Sequence, residues 1–187
     1  MMRLNSPRYE IRLDDDPNYT FGSADNLHVY DRVYRLDGGP AQHSSRLSVR
    51  VISREDDSEI ANCIFASAHG YFHEHLALIN GESLILAVGL SLVSLHLPTL
   101  EMSWKTQTDN SICIGVRHSP MQKCYISQGG VSVARVSYDG RIEWTDSGTD
   151  FNSDGFEVTE DCVKAVDWEY VVYTWDIRTG DRYPDGA

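Results

Sequence analysis

The chain has 187 residues, 41% hydrophobic and 24% charged, with 28 acidic against 16 basic side chains and a formal charge of −12. This length suits one domain with a sizeable core, and the composition is that of an ordinary globular protein rather than a disordered or fibrous one. Arginine and lysine are scattered singly along an acidic chain, which speaks against nucleic-acid binding.

No membrane span is expected, because the longest apolar run, 84–97, is interrupted by Gly89, Ser91, Ser94 and His96. The first residues lack the apolar stretch of a secretory signal. Cys63, Cys113, Cys124 and Cys162 each sit alone in an apolar run, with no CxxC pair. They read as buried free thiols of a soluble, cytoplasmic protein.

Residues 1–26 are expected to form an irregular N-terminal arm. Within it Tyr9, Ile11 and Leu13 alternate with charged residues and suggest one short strand, which Pro17 in the Asp14-Asp15-Asp16-Pro17-Asn18 cluster would stop. Residues 27–187 read as a single all-β domain. Leu27, Val29, Val33, Tyr34 and Leu36 suggest one or two strands before the turn Asp37-Gly38-Gly39-Pro40. Leu47, Val49 and Val51 then alternate cleanly, and a polar loop at 54–58 leads to a partner strand over 60–66. No window shows helical periodicity, and β-branched and aromatic residues dominate the apolar runs.

From about residue 71 a strand–turn–strand pattern recurs every forty or so residues. The third strands cover 92–97, 131–136 and 170–177, and tight turns follow at Pro98-Thr99, Asp139-Gly140 and Thr179-Gly180. Gly140 and Gly180 suit these turns because glycine accepts the positive φ that hairpin connections demand. Trp104 and Trp144 close the first two units. The repeat units are placed at about 27–66, 71–105, 112–145 and 152–183.

The run Ala134-Arg-Val136-Ser-Tyr138-Asp139-Gly140-Arg-Ile142-Glu-Trp144, with Trp175-Asp176-Ile177-Arg-Thr179-Gly180, resembles the blades of β-propellers of the quinoprotein-like or WD type. The resemblance spans residues 71–183. It implies an antiparallel, propeller-like stack of three to four four-stranded units, with a β-sandwich or a plain meander as the alternatives. Four such units could close a small ring. An open stack would leave a face uncovered and would favour a homo-oligomer.

Chemistry-bearing residues are few. His73 and His75 in His69-Gly-Tyr-Phe-His73-Glu74-His75 would share a face if they lay on a strand, and with Glu82 they could hold Zn, Fe or Mn. Gly70, His73, His75, Glu82 and Gly89 also follow the order of the first cupin motif, with different spacings and no second motif downstream. Asp150, Asn152 and Asp154, ahead of Gly155, resemble the alternating oxygens of a calcium loop. No nucleophile elbow, phosphate loop or dinucleotide fingerprint occurs, so no catalytic residue is assigned and an enzyme is not expected. Trp104, Trp144, Trp168 and Trp175 are expected to pack in the core or at blade edges. The expected function is a non-catalytic protein-interaction or scaffold module with a protein partner. The alternatives are a His-x-His metal protein and a calcium-stabilised β domain.

Overall fold

The computed structural model describes residues 1–36, 45–68, 70, 72–147 and 155–183. The protein is all-β: no helix occurs among these residues, and so none is long and apolar enough to cross a membrane. The strands form four sheets. The first holds β1 (Met2–Asn5), β2 (Tyr9–Asp15), β3 (Arg32–Arg35), β4 (Ser45–Ser53) and β5 (Glu59–Ser67), in the order β1-β2-β4-β5-β3. The second is a meander of β6 (Ala77–Asn80), β7 (Ser83–Val88), β8 (Ser91–His96) and β9 (Glu101–Gln107). The third is a like meander of β10 (Cys113–Ser119), β11 (Cys124–Gly129), β12 (Ser132–Ser137) and β13 (Ile142–Ser147). The fourth has β14 (Glu157–Val158), β15 (Cys162–Val166) and β16 (Val172–Asp176), and Arg182 bridges Trp175 along its outer edge.

The sheets stack face on face, and the strand sequences show why. A strand sends alternate side chains to opposite faces. β7 is apolar at nearly every position, so it needs cover on both sides. Leu84, Leu86 and Val88 enter the core shared with Ile11, Leu13, Val49, Val51, Cys63 and Phe65 of the first sheet. Ile85 and Ala87 turn the other way and meet Val116, Tyr125, Ala134 and Val136 of the third. Cys124, Ile126 and Val133 leave the far side of the third sheet to pack on Val163, Ala165 and Trp175 of the fourth. Each large aliphatic side chain so buried contributes about 1.5–3 kcal/mol. The outer strands β9 and β13 instead alternate exposed and half-buried residues and carry Glu101, Lys105, Glu143 and Asp146, as edge strands do.

The second and third sheets match in detail. In each, the ladder between the third and fourth strands slips by one residue, between Ser94 and Leu95 or between Arg135 and Val136. Trp104 stands opposite Ser94 and Trp144 opposite Arg135, both just beside the slip. Each indole then reaches the next sheet's turn. Trp104 Nε1 donates to Tyr138 O at 3.0 Å, and Trp144 Nε1 donates to Ile177 O at 2.9 Å. Glycine is required where the rings land. A Cβ on Gly140 (φ +86°) would lie 2.6 Å from Trp104, and one on Gly180 (φ +76°) would lie 2.7 Å from Trp144. Between the first and second sheets Tyr34 serves instead, donating its hydroxyl to Leu100 O at 2.8 Å. Leu100 takes the left-handed turn conformation (φ 55°), and its buried side chain joins the core there.

Three expectations need correction. The short strand expected at Tyr9–Leu13 is present as Tyr9–Asp15, but it and a second strand at Met2–Asn5 belong to the first sheet rather than to an irregular arm, because Ile11 and Leu13 enter the first core. Leu27 and Val29 lie on no strand and are largely exposed; only 32–35 form β3. That strand runs parallel to β5, so the first sheet is not purely antiparallel. The stretch 16–31 folds over the sheet's outer face, where Arg35 and Arg46 stack on the Phe21 ring at 4.3 and 5.0 Å.

Candidate functional site

His73 and His75 lie in the connection before β6, not on a strand. A turn brings their rings together, with centroids 5.4 Å apart, and Leu76 N–H donates to His73 O at 3.0 Å. His75 N–H donates to His73 Nδ1 at 3.3 Å. His75 Nε2 lies 3.0 Å from a Glu74 carboxylate oxygen. Glu82 is elsewhere, in the turn beyond β6, where it pairs with Arg8 at 3.1 Å and stands 3.9 Å from His96. Among the described residues no group of three or more His, Cys, Asp or Glu side chains is placed to hold a metal ion. Asp150, Asn152 and Asp154 lie outside the described residues.

The neighbour that sequence reading missed is Arg117. It lies on β10, whose edge meets the histidine connection through Val116 N–H donating to His75 O at 2.9 Å. Burial brings the Arg117 guanidinium down to about 10, with Glu74 as an opposing influence. Burial first, then the Arg117 charge, holds the His75 imidazole below its ordinary value. A guanidinium charge acting on His75 works against a divalent cation there. No local motif marks Arg117, because its partners come from other sheets.

A second feature is the hairpin tip between β15 and β16. Asp167 is buried beneath it. One of its carboxylate oxygens accepts from the amides of Glu169 and Val171, each at 2.9 Å, and the other accepts from the Tyr173 hydroxyl at 3.0 Å. The tip therefore holds its shape with apolar residues turned outward: Trp168 is 66% exposed, Tyr170 82% and Val172 54%. Tyr170 is in the left-handed region (φ 64°). Trp168 is thus not core packing, unlike the fully buried Trp175. The available signal was two aromatics flanking Glu169 at a position where the other two meanders place Gly89 and Gly129-Gly130.

No family model matches this chain, and no curated protein is found to be similar to it. Among solved structures, the chain is similar to the computationally designed Ika8 protein, with a TM-score of 0.56 at 10% identity over 75% of this chain and 45% of that one. It is also similar to the computationally designed Ika4 protein, with a TM-score of 0.51 at 10% identity over 63% of this chain and 76% of that one. The chain thus spans less than half the length of Ika8. At this identity the likeness is one of fold alone.

Proposed function

We propose that the chain is a non-catalytic protein-interaction module of propeller-like architecture, with the β15–β16 tip as its contact surface. The observation that carries this reading is the exposed aromatic tip braced by buried Asp167. Exposed, preformed apolar clusters of this kind mark interaction surfaces, and Trp and Tyr anchors dominate interface energetics. Residues 155–183 carry Glu157, Glu160, Asp161, Asp167, Glu169, Asp176 and Asp181 against Lys164, Arg178 and Arg182. Two copies meeting here would bring like charges together, so a basic partner fits better than a second copy.

The test compares affinity purification from native cells with wild type and with the double variant Trp168→Ala/Tyr170→Ala. Both changes are on the surface, so melting temperatures should agree within about 2 °C. A partner retained by wild type and lost by the variant is the expected result. Equal recovery from both proteins, or none from either, refutes the reading.

A further inference from the structure

The seam between the second and third sheets carries a cationic cluster that the interaction role does not use. The sheets come closest there: Cys113 N–H donates to Gly89 O at 2.7 Å and Val116 N–H to His75 O at 2.9 Å. Arg117 projects beside this seam, its guanidinium 5.6 Å from the Phe156 ring centroid. Its Nη1 is buried and makes no hydrogen bond to the described residues. A charged donor removed from water without an acceptor is costly. Gly115 is the near wall: a Cβ there would meet His75 O at 3.2 Å and Arg117 Nη1 at 3.4 Å. The His75 carbonyl lies on this seam, and the His73 ring stands 5.4 Å from the His75 ring. The nearby carboxylate is Glu74, which touches His75 at 3.0 Å, and its side chain is 76% exposed.

We propose that Arg117, His75 and His73 form a binding site for a small oxyanion, a carboxylate or a phosphate, and that Glu74 is the internal carboxylate the ligand displaces. Three points favour it. Arg117 has an unmet donor, and a planar guanidinium suits two-point contact with an oxyanion. Glu74 shows that a carboxylate is accommodated beside His75. Its exposure lets it swing into solvent at little cost. The carboxylate paired with His75 is exposed and displaceable, and its charge is felt at the Arg117 guanidinium.

The experiment titrates the whole chain with inorganic phosphate and, separately, with acetate, keeping ionic strength constant with sodium chloride. Melting temperature and histidine ring NMR signals are followed. Binding should move the His73 and His75 ring signals in a saturable way and leave His28 and His96 still. Glu74→Gln removes the competitor and should tighten binding about five- to tenfold, equivalent to about 1–1.4 kcal/mol. Arg117→Gln should abolish it. Saturation by phosphate alone identifies a phosphate site, and comparable saturation by acetate a carboxylate site. The proposal is overturned if neither anion moves His73 and His75, or if Glu74→Gln binds no more tightly than wild type. Both of these readouts hold even if Arg117→Gln fails to fold, and neither depends on the aromatic tip.

Discussion

Replacing Gly140 by alanine should cost far more than a turn substitution normally does, because an indole from another sheet lies on that glycine. The new methyl group would sit 2.6, 2.7 and 3.0 Å from Trp104 ring atoms Cδ2, Cγ and Cε3. A rigid aromatic cannot yield as a flexible side chain can, so the ring must swing away. The left-handed backbone costs about 1 kcal/mol with a Cβ present. Overpacking adds about 1–3 kcal/mol. The lost bond from Trp104 Nε1 to Tyr138 O adds about 1 kcal/mol. The total is about 3–5 kcal/mol, or a fall in melting temperature of about 6–20 °C for a chain of this size. Gly81 supplies the control. It has φ +60° and nothing within 4 Å of its would-be Cβ, so Gly81→Ala should lose only the backbone part, about 1 kcal/mol. Urea unfolding of both variants, with Trp104→Ala/Gly140→Ala to complete a double-mutant cycle, gives the coupling. Equal costs for the two glycines, or additivity in the cycle, would refute the Trp-on-turn contact as the link between the sheets.

Two further outcomes follow from buried and bridging carboxylates. Asp109 is buried and accepts four backbone amides, those of Ser111 and Ile112 at one oxygen and those of Val131 and Ser132 at the other, at 2.5–3.1 Å. Asp109→Asn turns an NH2 group toward one pair of donors. It should destabilise by about 3 kcal/mol or more in urea titrations despite its equal size. Asp146 accepts from Trp175 Nε1 at 2.7 Å and from Arg182 Nε at 2.5 Å, tying the third sheet to the fourth. Partial burial pushes this carboxyl up, but those two partners outweigh it and hold it below its ordinary value. A depressed carboxylate stabilises the fold above its unfolded value and loses that contribution as pH falls through the folded one. The stability gap between wild type and Asp146→Asn should therefore be full at neutral pH, begin to narrow below about pH 4 and close only below the folded value. A gap that stays constant down to pH 2 in thermal melts would exclude this contribution.

Much of the fold was legible in the chain because the signals are local. Period-two alternation at Leu47, Val49 and Val51 needs only one strand, and the positive φ of Gly140 and Gly180 needs only one turn. The uninterrupted apolar stretch of β7 already demands cover on both faces. The first sheet was harder to read, since β3 pairs in parallel with a strand some thirty residues away, and nothing in 27–36 states that direction.

The candidate sites were less legible still. The nearness of His73 and His75 follows from a spacing of two, but Glu82 was grouped with them on linear proximity, and the strand between sends it to a different turn. Arg117 reaches the histidines only because sheets stack, and Trp104 finds its acceptor thirty-four residues onward for the same reason. Strand content and turn chemistry are thus written residue by residue, since each depends on φ, ψ and the side chain at that position. Which faces meet, which aromatic is left outside and which cation lacks an acceptor depend on how whole sheets pack, a property no short window of sequence contains.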